Sequence, residues 1–265
     1  MPAVSDPIVV DCGGSGVRLG IVHRGGVGDV TNISVESLPD LVRSIRRASP
    51  APSCVAVSIA GFVDSQRGIV RLSRCASWAE GHLAHRLTKE LGCPAIVLND
   101  GEAHALAMLT TPEIRFGAIA VSLGTSVGVG IVGADRKLLK PCSGENWDFG
   151  EWKLHTSAAN PDLWWALGAK GLHDLEADHG PEQGARQFGF RLGAFLAQLT
   201  CIFQPKTIVL SGGIPNTRWN DMKGPTRQEL EQIPEHFEHP QLVRSPFPQA
   251  GLVGAASLVT QRLAL

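Results

Sequence analysis

The 265-residue sequence has no basic tract: 24 Lys and Arg stand against 25 Asp and Glu, for a formal net charge of -1. That balance lacks the electrostatic footprint of a nucleic-acid binder, although a small phosphorylated ligand needs only local donors. There is no charged start followed by a secretory apolar segment, and no apolar run long enough to cross a bilayer. No membrane role is therefore expected, and a cytoplasmic location follows as the default. The six cysteines (Cys12, Cys54, Cys75, Cys93, Cys142 and Cys201) are scattered without a CxxC pair. They fit free thiols of a reducing compartment better than a disulfide framework. Two familiar nucleotide motifs are missing as well. "DCGGSG" lacks the GxGxxG order and leads into a strand rather than a helix, and no GxxxxGK[ST] segment occurs.

What the sequence has in quantity is glycine, 30 residues, in a chain that is 43% hydrophobic and 18% charged. That composition describes an ordinary globular protein, and the length suffices for two modest lobes or one large α/β domain. The glycines gather beside short apolar runs: "IVVDCGGSGVRLGIV", "VSIAGFV", "AVSLGTSVGVGIV" and "IVLSGGI". Glycine at strand ends permits positive φ and close backbone approach, as a chain edge packed against a ligand requires. The first and third runs echo one another, each reading as strand, glycine and hydroxyl turn, and returning strand.

The rest of the chain supplies α/β punctuation. "LPDLVRSIRRA" has helical apolar spacing through Leu38, Leu41, Val42 and Ile45. A helix over Leu83 to Leu91, a strand over Ala95 to Leu98 and a helix from about Asp100 follow. Beyond the second glycine hairpin, a long helix is expected from Ala185 to Phe203, then a strand in "KTIVLSGGI". The stretch from Pro215 to Pro248 reads as irregular, with a short helix near Arg227 to Gln232 and a strand at Gln241 to Arg244. "AGLVGAASLVTQRLAL" reads as a helix rich in small residues.

Consecutive N–H groups in a tight turn form a concavity for anions, and hydroxyls add donors. Gly13, Gly14 and Ser15 in one turn, and Gly124, Thr125 and Ser126 in the other, are candidates to hold phosphates. Asp11, ending the first strand, could hold magnesium directly or through water, or serve only its turn. Arg18 reads equally as a phosphate partner or an ion-pair member. "VLNDGEAHALAML" places Asn99 and Asp100 where a strand meets a helix. Asn99 with Glu102 fits a capping box, which would leave Asp100 available for chemistry or for structure alike. His104, one turn further on, reads as a structural histidine.

The ordered set "DCGGSGVRLG", "IAGFVD", "VLNDGEAHALA", "SLGTSVGVGIV", "LSGGI" and "AGLVGAA" resembles the ROK sugar kinases, within the larger actin-like and hexokinase-like ATPase superfamily. The resemblance implies an α/β, two-lobed actin-like ATPase (ribonuclease H-like) fold with a central ligand cleft. The lobes are expected at residues 1–112 and 113–265, with the terminal helix packing back toward the first. It implies ATP and Mg2+ as cofactors and phosphoryl transfer to a hydroxyl of a small carbohydrate or polyol. By the same resemblance Asp100 is the catalytic base, Asp11 and the glycine turns handle magnesium and phosphate, and Gly212 and Gly213 lie on the nucleotide side. Asn99 would bind a neighbouring hydroxyl or brace the turn. Asp64 would border the acceptor or act only as a turn residue.

Two departures from the family pattern qualify this. The histidine and compact cysteine cluster that bind zinc in many members have no counterpart, so no structural zinc is expected. On the sugar side the family has Gly-Glu-x-Gly-His with a later Glu, whereas "WDFGEWK" places Asp148 at the first Glu, Gly150 at the Gly, Glu151 at the His and Lys153 at the later Glu. Replacing a carboxylate by an ammonium reverses a hydrogen-bonding role. Ordinary glucose is thus a poor default, and an amino, acidic or altered polyol is the alternative; Glu151 and Lys153 could equally point to solvent. A non-catalytic carbohydrate sensor or a polyphosphate-using kinase are the competing readings. No DNA-binding extension is expected before Ile8. A homodimer is compatible with the resemblance, the aromatic segment near Trp164 being one contributor.

Overall fold

The computed structural model describes residues 6–24, 26–112, 114–115, 117–152 and 162–263. In chain order the first elements are β1 (Ile8–Gly13), β2 (Gly16–His23), β3 (Gly26–Ile33), α1 (Leu38–Ala48), β4 (Val55–Ile59), β5 (Phe62–Asp64), β6 (Ile69–Leu72), α2 (Leu83–Leu91), β7 (Ala95–Asn99) and α3 (Asp100–Met108). Then come β8 (Ala118–Leu123), β9 (Val127–Val132), α4 (Leu163–Ala166), α5 (Ala169–His179), α6 (Pro181–Phe203), β10 (Thr207–Ser211), α7 (Gly213–Leu230), β11 (Gln241–Arg244) and α8 (Ala250–Leu263). They form two compact units. Unit 1 comprises Met1–Thr110, Lys140–Trp147 and Gln249–Leu265; unit 2 comprises Thr111–Leu139 and Asp148–Pro248.

In unit 1 the strand order is β3-β2-β1-β4-β7, with β1 antiparallel to β2 and parallel to β4, and β4 parallel to β7. β4 is buried at every residue, as its unbroken apolar run requires of a strand covered on both faces. α1 is built for one face of this sheet. Ser37 caps it by accepting the Asp40 N–H, Pro39 lies in the first turn where its missing donor costs nothing, and Leu41, Val42 and Ile45 are buried. Each fully buried Leu or Ile of this kind contributes about 2 kcal/mol. α8 returns to this unit and crosses α3 so closely that a Cβ on Gly254 would overlap the Ala103 carbonyl oxygen, at 1.7 Å.

Unit 2 repeats the plan. Its sheet order is β11-β10-β8-β9, with β8 antiparallel to β9, parallel to β10, and β10 parallel to β11. A hairpin followed by two parallel strands on the same side thus occurs in both units, β2-β1-β4-β7 and β9-β8-β10-β11. The sequence echo between the two glycine turns extends to the topology around them. α6 buries Phe188, Leu192, Phe195, Leu196 and Leu199, and its glycines let α7 approach. A Cβ on Gly189 would meet the Met222 carbonyl at 2.5 Å.

Two departures from the sequence pattern occur in unit 2. The stretch beginning at Pro215 is not irregular at first but belongs to α7, an 18-residue helix. Pro215 falls in its first turn, and Pro225 is accommodated inside it. The buried face is made of Ile214, Pro215, Met222, Pro225, Thr226 and Leu230, too mixed to show an apolar period. α5 likewise buries only Gly171, Leu172 and Leu175. Among the described residues no helix is long and apolar enough to cross a membrane.

Candidate active site

Unit 1 gathers two carboxylates. Asp11 occupies the third register from the turn in β1, opposite Arg18 on β2 and beside Ser58 on β4. Its carboxylate is buried, accepts the Ser58 hydroxyl at 3.0 Å and stands 3.7 Å from Arg18 Nη1. Gly251, in the first turn of α8, lies directly against it, since a Cβ there would come within 2.6 Å of Asp11 Oδ1 and 2.9 Å of Oδ2. Any larger residue at that position would have to displace the Asp11 carboxylate. Gly13, Gly14 and Ser15 follow, the last two exposed in the turn.

Asn99 fixes the second carboxylate. It ends β7 in extended geometry and caps α3, its Oδ1 accepting the Glu102 N–H at 3.3 Å. Its Nδ2 donates to the Gly61 carbonyl at 2.8 Å and to Asp100 Oδ1 at 3.0 Å. The buried amide therefore braces both the Gly61 turn and the neighbouring carboxylate. Asp100 is partly exposed, yet its pKa is pushed up to about 7. Burial is the larger cause and the negative charge of Asp11 the second, opposed by hydrogen bonds from the backbone N–H groups of Gly101 and Asp100 and from Asn99. An aspartate that titrates near neutrality suits proton transfer at physiological pH. His104, half-buried on the next turn, has its pKa lowered by burial first, with Arg18 adding to the effect and Asp11 opposing it.

The capping box is only half made. Glu102 does not reach back to the cap; its buried carboxylate takes the ammonium of Lys140 instead, and Lys140 Nζ also donates to Ser65 Oγ at 2.6 Å. Asp64 is buried and engaged locally: it accepts the Arg67 N–H at 3.0 Å and pairs with Arg67 and Arg71 at 3.4 and 3.9 Å. Cys75 donates its thiol to the Ala60 carbonyl at 3.7 Å. Its pKa is raised chiefly by burial, with the charges of Asp100 and Asp11 adding. Sequence reasoning missed Ser58, Lys140, Cys75 and the role of Gly251. Only Gly251 had a signal, in the small-residue run "AGLVGAA".

Unit 2 offers backbone rather than carboxylate. In the β8–β9 turn Gly124 N–H donates to the Ser126 carbonyl at 3.0 Å, and Thr125 is exposed. The turn is seated on the loop before α5: Ala169 N–H donates to the Gly124 carbonyl at 2.8 Å, and a Cβ on Gly168 would meet the Thr125 carbonyl at 2.4 Å. Gly212, at φ +97°, lies as closely against the Leu123 carbonyl and starts α7 without a side-chain cap. With Gly213 exposed beside it, the helix presents uncapped N–H groups of the kind that bind phosphate. Asp148 is exposed and accepts the Gly150 N–H at 3.0 Å, shaping its own turn. Glu151 is exposed, and Trp152 meets Phe149 edge to face at 4.8 Å. Lys153 lies outside the described residues. Among the described residues no group of three or more His, Cys, Asp or Glu side chains is placed to hold a metal ion.

The ROK family model matches residues 21–155 and 173–262. The chain belongs to the ROK family. It is 25% identical to a glucokinase of Streptomyces coelicolor, over 78% of this chain and 81% of the relative. Among solved structures it is similar to a ROK family glucokinase from Streptomyces griseus in complex with glucose and AMPPNP, with a TM-score of 0.79 at 21% identity over 97% of this chain and 100% of the other. It is also similar to a ROK family transcriptional regulator, a homologue of the E. coli MLC protein, with a TM-score of 0.83 at 19% identity over 98% of this chain and 79% of the regulator. The fold is accordingly the two-lobed actin-like ATPase fold of ROK proteins.

Proposed function

We propose that this ROK protein is a carbohydrate kinase, transferring the terminal phosphoryl group of ATP to a hydroxyl of a sugar, amino sugar or polyol other than ordinary glucose. The observation that carries the reading is Asp100, a carboxyl held at the mouth of α3 by Asn99 with its pKa near 7. The acceptor oxygen attacks the terminal phosphorus, the bond to the bridging oxygen of ADP breaks, and the hydroxyl proton passes to Asp100. Such transfer depends on alignment and electrostatics more than on covalent chemistry. The turns at Gly13, Gly14 and Ser15 and at Gly124, Thr125 and Ser126 offer N–H and hydroxyl donors to phosphate oxygens. Gly212 and Gly213 leave the start of α7 open to the nucleotide.

Magnesium fits the residues present. Asp11 is a single carboxylate already oriented by Ser58, and magnesium in nucleotide sites uses one or two carboxylates with water and phosphate oxygens. Bound with ATP, the ion would offset phosphate charge; Asp11 is the residue to hold it, directly or through water. On the acceptor side Asp64, Asn99, Asp148, Glu151 and Lys153 remain the candidates, the replacements at Glu151 and Lys153 being what disfavours glucose.

The test is product formation from ATP and Mg2+ across a panel of hexoses, amino sugars and polyols, with Asp100→Asn as control. The variant should fold and bind AMPPNP but not turn over; full turnover removes Asp100 from the chemistry. Likeness to a transcriptional regulator favours one second reading, a carbohydrate-sensing protein, which binding without product across the panel would support. Replacing ATP by polyphosphate in the same assay decides the donor.

A further inference from the structure

Three attachments converge on β5, the short strand after the glycine turn that ends β4. Ahead of the strand, the Gly61 carbonyl accepts from Asn99 Nδ2 at 2.8 Å. In its middle, Val63 donates its N–H to Asn146 Oδ1 at 2.6 Å, and its carbonyl accepts the Asn146 N–H at 3.2 Å. Just past its end, Ser65 Oγ accepts from Lys140 Nζ at 2.6 Å, and the same ammonium engages Glu102 in the first turn of α3. Lys140 and Asn146 both belong to Lys140–Trp147, the one short segment from the middle of the chain that enters unit 1.

The turn of α3 that carries Asp100 is therefore fastened to β5 twice, by Asn99 in front and by Glu102 through Lys140 behind. The rear fastening is costly. Glu102 is 3% exposed, and its Oε2 has no hydrogen-bond partner. Apolar residues of similar size at such a place are often as stable as a buried ion pair or more so, whereas one partner alone is strongly destabilising. The pair is thus a poor choice for stability alone. What it provides, and packing would not, is a fixed spacing through a directional ammonium shared by two acceptors.

Resting on the kinase reading of Asp100, we propose that Lys140 is a positioning residue: its ammonium, bridging Glu102 and Ser65, sets the register of the Asp100 turn against the Gly61–Ser65 strand that borders the acceptor. Misplacement of a reacting group by about 1 Å can cost about 100-fold in rate, so a tether of this kind acts on turnover without touching substrate.

The experiment compares Lys140→Met, Ser65→Ala and the double variant Glu102→Leu/Lys140→Met with the wild-type protein. Thermal unfolding, hydrogen exchange of the peptide spanning residues 61–65, and kinetics with MgATP and D-mannose, D-glucosamine or D-mannitol are measured. Lys140→Met, leaving Glu102 buried and unpaired, should lower Tm by about 6 °C or more. The double variant should recover that Tm, yet stay about tenfold or more below wild type in acceptor kcat/KM and keep fast exchange at residues 61–65. Ser65→Ala should speed that exchange with little change in Tm, and Lys140→Arg should restore most of the turnover. A double variant with both wild-type kcat/KM and wild-type exchange overturns the proposal and leaves the kinase reading standing. Unchanged exchange in Ser65→Ala overturns it without any acceptor. A wild-type protein that phosphorylates none of the acceptors counts against the kinase reading and takes the catalytic part of this proposal with it.

Discussion

The β1–β2 and β8–β9 hairpins share a plan and differ at one residue that matters. Both end a buried strand in a glycine and hydroxyl turn, and two residues ahead of the turn glycine each first strand faces a serine of its parallel neighbour, Asp11 beside Ser58 and Ser122 beside Ser211. Where the first hairpin carries Asp11, the second carries Ser122. The surroundings follow suit. The Asp11 carboxylate is enclosed by Ser58, Arg18 and Gly251, so this hairpin is built around a charge. The β8–β9 turn is propped from beneath by Gly168 and Ala169, with Gly212 against the strand end, so it is built around backbone. The same strand plan thus carries two chemistries, a carboxylate in unit 1 and backbone amides in unit 2.

The largest effect expected from breaking this asymmetry is at Asp100, which shares unit 1 with Asp11. Asp100→Asn should lower kcat by about 10³-fold, within the range for a general base, while AMPPNP affinity measured by calorimetry stays unchanged. Next, Asp11→Asn should lower kcat/KM for MgATP by about 100-fold, whereas Ser122→Ala at the matching position should change it by less than about twofold. Equal effects at the two positions would mean that the hairpins are chemically equivalent.

Smaller effects sharpen the comparison of packing. Gly251→Ala and Gly212→Ala force a methyl against the Asp11 carboxylate and the Leu123 carbonyl, and each should cost about 2 kcal/mol in urea unfolding. Gly124→Ala, with nothing within 4 Å of its Cβ, should cost less than about 1 kcal/mol.

The pH dependence has a definite sign. Asp100 has a folded pKa of about 7 against an ordinary value of 3.8, so between those values the folded protein holds a proton that the unfolded chain has released. Its contribution to stability is full below pH 3.8 and is lost as pH rises through 7. Asp100→Asn should remove that slope. Turnover should run the other way, with an acid limb near pH 7 in kcat/KM for the acceptor, because only the carboxylate accepts the proton.

Much of this arrangement is legible in the sequence because it is local. The continuous apolar runs of β1, β4, β8 and β10 announce buried strands, and the turns announce themselves by glycine. Asn99 is recognisable as a cap since its partner, the Glu102 N–H, is three residues away. What stays hidden has distant partners. Glu102 completes the capping pattern on paper, yet an ammonium 38 positions further along the chain takes its carboxylate. Asp64 shows a carboxylate after a glycine turn, but not that Arg67 and Arg71 would claim it. α7 escapes periodicity because prolines, a threonine and a methionine make its buried face.

Gly251 lies against Asp11 although 239 residues separate them in the chain. During synthesis β1 emerges early, yet the pocket around its carboxylate is closed by a helix that leaves the ribosome only after the whole of unit 2. Folding domain by domain from the N-terminus is the usual order for nascent chains. Here unit 2 can complete itself first, while the first strand waits for α8. A chain lacking residues 249–263 would carry every proposed catalytic side chain and still lack the helix that lies against Asp11.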